Sequence, residues 1–176
     1  HKLIDVSFKN WRGMQESGGR RIKRSIYVDI DSVKFCDDKL MEKMNKVNLL
    51  KDYIEGKAKE IEEANSAQGV DLNNPINGRR LTNLGTFRTY IKKYLDNHIK
   101  IHKDLTLIIR QLPPGPTGLP IEIYGFTNVT AWSEYEDIQA DIFDHLFAVA
   151  NEFELRIFQS PSSKSFESLS RDNVEE

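Results

Sequence analysis

Cysteine is nearly absent from the chain, since Cys36 is the one cysteine among 176 residues. No disulfide within the chain is therefore possible, which excludes the disulfide-stabilised scaffolds of small secreted proteins and favours a reducing compartment. Long hydrophobic runs are missing as well, because no stretch approaches the roughly 18 consecutive apolar residues that a membrane-spanning helix needs. The sequence as given predicts no segment that crosses a membrane.

An excess of charge of one sign is missing too. Lysine and arginine number 25 against 27 aspartates and glutamates, and the net charge of -2 gives no general attraction to nucleic acid or to anionic lipid. Hydrophobic residues make up 39% of the chain and charged residues 30%, which at this length is enough to bury one main core. The composition predicts an ordinary globular domain, and any basic contact has to be local.

The chain begins at His1 without an initiator Met and without the pattern of a signal peptide. Strand-like sequence starts almost at once, at residues 6–11. We therefore expect a fragment of a longer protein, in which residues that decide function lie upstream.

Alternating apolar residues predict a first strand at residues 21–30, and a Gly-rich turn at residues 16–19 joins it to the opening segment as a hairpin. Asp37 or Asp38 begins a long helical pattern with a break near residues 45–48. Its apolar positions recur every three or four residues, at Leu40, Met44, Val47, Leu50, Ile54, Ala58 and Ile61. The first half of the chain thus predicts a strand followed by a long, interrupted helix.

Residues 65–80 have no hydrophobic period and are rich in Asn and Gly, which predicts a loop. We expect this loop to be an insertion in the domain. A second helix follows and is capped by Thr82 or Asn83. Residues 105–112 and 119–127 are rich in Leu and Ile and are separated by prolines and glycines, so they are expected to pair as an antiparallel hairpin.

Ser133 and Glu136 have the spacing of a capping box, and the amphipathic pattern behind them predicts a helix that extends to Phe153. Residues 155–158 predict a last short strand. Residues 161–176 are polar and rich in serine, and are expected to form a disordered tail.

The order of elements predicts an α+β fold, a ferredoxin-like split β-α-β sandwich with an extra helix. In that fold, two helices cover one face of a four-stranded antiparallel sheet. The architecture hosts enzymes, ligand sensors, RNA-binding modules and assembly domains, so function has to be argued from a site.

Pairs of chemically active side chains are few. His98 and His102 have a spacing at which two helical histidines share a metal, but no third ligand falls in register, and helix-end histidines are the simpler interpretation. Asp29 and Asp31 are interpreted as solvated carboxylates on the polar side of the first strand. Residues 141–145 combine acids with an imidazole, but no nucleophile is paired with them. We expect no catalytic, cofactor-binding or metal-binding residue.

Three further patterns have both a structural and a functional interpretation. The turn at residues 115–118 lacks the Lys and Ser or Thr of a phosphate-binding loop, so its glycines are explained by the turn. The one compact basic run, Arg20, Arg21, Lys23 and Arg24, fits a charged strand at a sheet edge or a subunit contact better than a phosphate site. Exposed aromatics for RNA stacking would have to come from Tyr27, Tyr124 or Phe126, without the neighbouring signature of RNA-recognition domains.

Several longer motifs resemble the cytoplasmic region of bacterial mechanosensitive ion channels of the MscS family, in its YbdG-like, miniconductance branch. The resemblance covers residues 1–160. It is carried by SFKNWRGM at 7–14, GGRRIKRSI at 18–26, GRRLTNLGTFR at 78–88, IHKDLT at 101–106, RQL at 110–112, FDHL at 143–146 and RIFQ at 156–159.

The resemblance implies that residues 1–20 are the C-terminal end of a small, Sm-like β domain and that residues 21–160 are the α+β domain of the cytoplasmic vestibule. It implies a homo-oligomer, a heptamer in the full-length family, held in the bacterial inner membrane by N-terminal transmembrane helices that this sequence lacks. In the family, membrane tension opens the pore, and ions and small solutes leave the cell on hypoosmotic shock. It implies no enzyme activity. No cofactor and no nucleic-acid partner are expected.

Two alternatives remain open from the sequence. One is a standalone ferredoxin-like sensor that binds a small ligand and is stabilised by it. The other is an RNA-binding module that uses residues 20–24 and the sheet aromatics, and it predicts salt-sensitive binding to single strands.

Overall fold

Four α-helices and three β-strands make up the part of the chain that the computed structural model describes, residues 17–161. They run in the order β1 (Arg20–Val28), α1 (Asp38–Asn45), α2 (Lys51–Gln68), α3 (Asn83–Asp96), β2 (Ile108–Gln111), β3 (Leu119–Thr127) and α4 (Trp132–Ala150). Short 3-10 turns lie at Ile30–Ser32 and Asn151–Phe153. The predicted strand at residues 6–11 and the predicted tail from residue 162 onward lie outside the described residues.

The sheet is antiparallel, and β3 lies at its centre in the order β1-β3-β2. Arg20 pairs with Thr127 at one end of the β1–β3 ladder, and Val28 pairs with Leu119 at the other. A single bridge between Val28 and Ile157 brings the end of the domain to the free side of β1. If that bridge is counted as a fourth strand of one residue, the strand order is that of a ferredoxin-like split β-α-β sandwich. The predicted α+β fold class is therefore confirmed.

The predicted fourth strand at residues 155–158 is wrong in extent, because only Ile157 forms a bridge there. Backbone hydrogen bonds of 2.8 Å flank the bridge, from Phe158 N to Tyr27 O and from Asp29 N to Arg156 O. The next residues, Gln159 and Ser160, are exposed and polar, so further pairing would bury no apolar surface. Within residues 17–161 the sheet therefore has three strands.

Helix boundaries follow the caps only in part. The Asp37 carboxylate accepts a 2.8 Å hydrogen bond from Leu40 N and begins α1, and the chain leaves helical structure between α1 and α2 where the break was predicted. Thr82 caps α3 through a 3.0 Å hydrogen bond from Gly85 N. The predicted capping box of α4 is wrong, since the helix begins one residue before Ser133 and the N-cap Ala131 makes no side-chain hydrogen bond. The Glu136 carboxylate accepts from Trp132 Nε1 instead, at 3.0 Å.

Other predicted boundaries shift as well. The first strand ends at Val28 because Asp29 accepts a hydrogen bond from Asp31 N and turns the chain into the 3-10 turn. The predicted strand at residues 105–112 is paired with β3 only over β2, Ile108–Gln111. The predicted loop at residues 65–80 loses its first residues to α2, which ends at Gln68 and is followed by Gly69 in the left-handed conformation.

The hydrophobic core lies between one face of the sheet and the helices. From β1 and β3 it receives Ile22, Ile26, Val28, Leu119, Ile121 and Ile123. Helices α3 and α4 add Leu84, Phe87, Ile91, Leu95, Ile138, Ile142, Phe143 and Leu146, and α1 and α2 add Leu40, Met44 and Ile54. Within residues 17–161, the helices that contribute to this core lie on one face of the sheet. None of the helices within residues 17–161 combines the length with the apolar composition that a membrane span requires.

A glycine closes the β2–β3 hairpin at a position where a side chain would be strained. Gly115 and Gly118 exchange backbone hydrogen bonds of 3.0 Å, and Gly118 has a φ of +92°. A Cβ atom at Gly118 would lie 2.6 Å from Val28 O, whereas one at Gly115 would meet nothing within 4 Å. The hairpin therefore depends on glycine at one of these two positions and tolerates a side chain at the other.

We expect Gly118→Ala to lower the free energy of unfolding by about 1–3 kcal/mol, because it combines a left-handed backbone with a close approach to another strand. Gly115→Ala, the matched control, should change it by less than about 0.5 kcal/mol. Urea denaturation followed by circular dichroism measures both. Equal effects of the two substitutions would contradict the role given to Gly118.

Candidate functional site at the β1 edge and the open sheet face

The basic run of β1 is divided between the two faces of the sheet. Arg20 and Arg24 lie on the face that carries the core, where their guanidinium groups stand 4.7 Å from the Tyr135 ring centroid and 4.3 Å from that of Phe143. These cation-π contacts hold both arginines against α4. The alternate residues, Arg21 and Lys23, extend from the opposite face and are exposed.

The open sheet face, as we call the side of the sheet away from the core, combines cations with aromatic rings. In the register of the β1–β3 ladder, Arg21 lies opposite Phe126 and Lys23 lies opposite Tyr124. The rings of Tyr124 and Phe126 are half-buried and meet edge to face, with their centroids 5.7 Å apart. Two rings on the central strand are thus bordered by two positive charges on the edge strand.

An ion pair occupies the middle of the open sheet face. Glu122 on β3 has only 8% of its side chain exposed, and its Oε1 accepts from Arg110 Nε at 2.8 Å and from Arg110 Nη2 at 2.7 Å. Arg110 pairs with Glu122 across the β2–β3 ladder. Because the Glu122 carboxylate is paired with Arg110, it does not neutralise the positive charges of Arg21 and Lys23, which lie on β1 at the same face.

Among residues 17–161, backbone groups on the outer side of β1 have no pairing partner, and we call this side the β1 edge (residues 21–27). The N–H and C=O groups of a strand point alternately to its two sides, and Tyr27 O and Asp29 N bond to residues 156–158, away from β3. The odd-numbered residues therefore point outward. Arg21 O accepts from the Tyr135 hydroxyl at 2.8 Å, so the groups of Lys23 and Ser25 lie between that contact and the bridge.

A cavity of about 700 Å³ lies along this edge. Its lining combines charged, hydroxylic and apolar side chains from β1, β3, α4 and the segments after β2 and α4, namely Lys23, Arg24, Ser25, Tyr27, Leu112, Glu122, Phe147, Ile157 and Phe158. Phe147 and Tyr27 are among the large apolar side chains that remain substantially exposed. The β1 edge and its cavity are thus the part of the described surface that joins free backbone donors, positive charge and apolar area.

The histidine pair and the aspartate pair do not form sites in residues 17–161. His98 and His102 lie after α3, where Nδ1 of each accepts a 3.2 Å hydrogen bond from the backbone two residues later. Asp29 and Asp31 lie in the turn after β1, not on the strand as predicted. The Asp29 carboxylate accepts a 2.9 Å hydrogen bond from Arg156 Nε. Among the described side chains, no three His, Cys, Asp or Glu are grouped to hold a metal ion.

A titratable cluster between α3 and α4 was not anticipated from the sequence. The Tyr90 hydroxyl and His145 Nε2 are 2.8 Å apart, and the Tyr94 ring stacks on the imidazole with centroids 4.3 Å apart. Burial lowers the pKa of His145, and burial together with the charge of Lys103 lowers the pKa of His98. The signal in the sequence is the spacing of Tyr90 and Tyr94, four residues apart on one face of α3, with His98 a further four residues along the chain.

We expect the free energy of unfolding to fall as the pH is lowered from about 7.5 to 5.5, because the unfolded chain binds protons at these histidines more readily than the folded one. With a folded pKa below the ordinary value of 6.5, the neutral imidazole favours the folded state above 6.5 and this contribution is lost as the pH falls through the folded pKa. Urea titrations at both pH values measure it. His145→Gln should reduce the pH dependence, and a rise in stability on acidification would contradict the assignment.

A scan of the chain against models of protein families finds no match. The α+β architecture alone assigns no activity, since the same arrangement supports unrelated functions. The positions on which a functional argument can rest are therefore the motif residues of the sequence, the open sheet face and the β1 edge.

Proposed function

We propose that the chain is the cytoplasmic vestibule domain of a membrane-tension-gated, small-conductance channel of the MscS family, in its YbdG-like branch. Such a channel releases ions and small solutes on hypoosmotic shock. The observation that carries the proposal is the set of long motifs, GGRRIKRSI at 18–26 and GRRLTNLGTFR at 78–88 above all. The proposal treats the chain as part of an assembly in the inner membrane and not as an enzyme.

The described motif residues occupy positions where the fold needs particular side chains, which supports using them as a signature. In GRRLTNLGTFR, Thr82 caps α3, Asn83 is fully buried, and a Cβ at Gly85 would lie 3.1 Å from Thr82 Oγ1. In FDHL, Phe143 and Leu146 are core residues. Motifs whose residues are tied to one local geometry are less easily matched by chance than surface sequence.

One end of the sheet offers apolar surface for a neighbouring domain. β1 begins there, at Arg20, and Trp132 at the start of α4 is 68% exposed with the Arg20 guanidinium 5.9 Å from its ring centroid. Ile99, 81% exposed, lies in the turn that joins α3 to the same end through the Ile101–Thr127 bridge. We assign this end to the contact with the preceding β domain, whose last residues would be 1–20.

The segment after α2 is held in a defined place and, in this proposal, shapes a portal or a subunit contact. Asn65 Nδ2 donates a 3.0 Å hydrogen bond to Arg79 O, and Asn65 Oδ1 accepts a 2.7 Å hydrogen bond from Arg79 N. The two ends of the segment are therefore joined. Replacing residues 70–77 by a short glycine linker in the full-length channel should alter assembly or conductance. Unchanged assembly and unchanged conductance would remove the role given to this segment.

The first experiment is to sequence the coding DNA upstream of His1. We expect several apolar runs of about 20 residues, the last rich in Gly and Ala, because a channel needs membrane-spanning helices. Expression of that complete gene in cells lacking their own mechanosensitive channels should then increase survival of hypoosmotic shock and give tension-dependent currents in patch recordings. A reading frame that begins a few codons before His1, without an apolar run, would contradict the proposal.

A second candidate function, single-stranded RNA binding, is favoured by one observation, the placement of Tyr124 and Phe126 opposite Lys23 and Arg21 on the open sheet face. Bases stack on exposed rings, and nearby cations neutralise phosphates. Binding of labelled oligouridylate should then weaken steeply with salt and be lost in Tyr124→Ala. Absence of binding at low salt would remove this candidate and leave the channel proposal unaffected.

A further inference from the structure

We propose that the β1 edge binds an extended, acidic peptide segment of a partner protein, which adds to the sheet as a further strand beside β1. The proposal does not depend on the channel assignment, since it rests on the backbone, charges and cavity of the described domain alone. Strand addition to a free sheet edge is a common way in which proteins recognise extended peptides.

The first argument is that a short stretch of the β1 backbone has groups free to pair, in a window between Arg21 and Tyr27. The N–H and C=O groups of Lys23 and Ser25 point away from β3, as the outward bonds of Tyr27 and Asp29 to residues 156–158 establish. Tyr135 closes the window at Arg21, and Phe158 closes it at Tyr27. Six residue steps of a strand span roughly 20 Å, which suits a guest strand of about five residues.

The second argument is that the domain already uses this edge in the same way. The Val28–Ile157 bridge is an antiparallel contact made by a segment of the chain itself, with Phe158 N donating to Tyr27 O at 2.8 Å. That pairing stops at Phe158, and the cavity of about 700 Å³ continues along β1 from that point. A guest strand would extend a pairing that the fold has begun.

The third argument is charge complementarity, which identifies the guest as acidic. Alternate side chains of a strand opposite Lys23 and Ser25 would lie on the same side as Lys23 and Arg21, both of which are exposed cations. The intervening side chains would face Phe147 and the Arg24 guanidinium on the α4 side of the cavity. Acidic residues alternating with apolar ones fit both sides.

The chain's own residues 162–176 fit this register less well. Continued antiparallel pairing from the Val28–Ile157 bridge would put Ser162 opposite Lys23 and Lys164 opposite Arg21. The acidic residues of that segment, Glu167, Asp172, Glu175 and Glu176, come too late in the sequence to face these cations. A second copy of β1 would set lysine and arginine against lysine and arginine, which is unfavourable.

The test uses a fluorescein-labelled pentapeptide, Glu-Val-Glu-Val-Glu, titrated with the 176-residue chain at low salt and followed by fluorescence anisotropy. We expect saturable binding, shifts of the Lys23 and Ser25 amide signals in NMR spectra, and no binding of Lys-Val-Lys-Val-Lys. Lys23→Glu should weaken binding by about tenfold or more, because it places like charges together. Lack of saturable binding by the acidic peptide, or amide shifts confined to β2, would overturn the proposal.

The backbone contribution has its own matched controls. N-methylation of the peptide's glutamate amides, which would face β1, should abolish binding, whereas N-methylation of its valine amides, which would point outward, should leave binding within about twofold. On the protein, Ser25→Pro removes one outward N–H and no bond to β3, and is expected to abolish binding. Equal binding of the two methylated peptides would overturn the strand-addition geometry even if Ser25→Pro does not fold.

The other occupants give distinct results. If residues 162–176 fill the edge, the peptide binds only after Glu167→Gln, Asp172→Asn, Glu175→Gln and Glu176→Gln are introduced together, and the partner proposal is overturned. If a second copy fills it, sedimentation shows self-association that the peptide disrupts, with the same consequence. If residues 6–11, which the sequence predicts to form a hairpin with β1, fill it, the peptide binds only after Phe8→Pro breaks that pairing, and the partner proposal is again overturned. Equal peptide affinity of a monomeric wild-type chain, the tail variant and Phe8→Pro supports a partner.

Discussion

Replacing Phe87 with alanine is expected to lower the free energy of unfolding by about 3–5 kcal/mol, the largest effect we anticipate for a single substitution in this domain. The Phe87 side chain is completely buried in α3. Its ring lies 5.2 Å from that of Phe153, centroid to centroid, where the chain leaves α4. Removing it would leave a cavity between two elements that are far apart in sequence, and the surrounding side chains can fill it only in part.

Urea denaturation followed by near-ultraviolet circular dichroism measures this loss. Phe87→Leu is the matched control, since it keeps most of the volume and should cost less than about 1.5 kcal/mol. Lys92→Ala, a change at an exposed position on the same helix, should stay within about 0.5 kcal/mol. A loss in Phe87→Ala as small as that in Lys92→Ala would mean that α3 is not held through this contact.

Replacing Asn83 with alanine is expected to cost about 2–4 kcal/mol, because buried backbone groups would lose their partners at about 1–3 kcal/mol each. Asn83 is fully buried. Its Oδ1 accepts from Lys34 N at 2.9 Å, and its Nδ2 donates to Ser32 O at 2.9 Å. The Asn83 side chain at the start of α3 thus holds the segment that follows β1 in place. Water cannot take over these hydrogen bonds without opening the core.

Thr82→Ala provides the comparison, since the neighbouring residue makes one cap hydrogen bond at a helix end and its loss should cost about 0.5–2 kcal/mol. Hydrogen exchange adds a local measurement. The Lys34 amide should exchange faster in Asn83→Ala but not in Thr82→Ala beyond the change in global stability. If the two variants lose the same stability and leave the Lys34 amide equally protected, Asn83 is not the tie that we describe.

Asn83 also illustrates what a local pattern can predict. The sequence identified residues 82 and 83 as alternative caps of one helix, and the structure uses both, Thr82 for the cap and Asn83 for a bond across the domain. The cap was predictable because it involves residues three apart. The bond to Lys34 joins residues 49 apart, and no local pattern encodes which distant backbone a buried amide will meet.

The candidate site was predictable to the same limited extent. The period of two along β1 is enough to separate Arg21 and Lys23 from Arg20 and Arg24. Strand order and register place Lys23 opposite Tyr124. They also leave the outer side of β1 open beyond one bridge within residues 17–161. Those depend on how apolar faces are buried together over the whole domain.

The element types, the α+β class and the β2–β3 hairpin follow from the sequence alone, because hydrophobic period, caps and turn glycines act over a few residues. Packing of distant elements determines that the last predicted strand is a single bridge to β1 and that His145 lies against Tyr90 and Tyr94 of α3. In both cases the deciding partner lies far along the chain, so its effect appears only once the elements are packed.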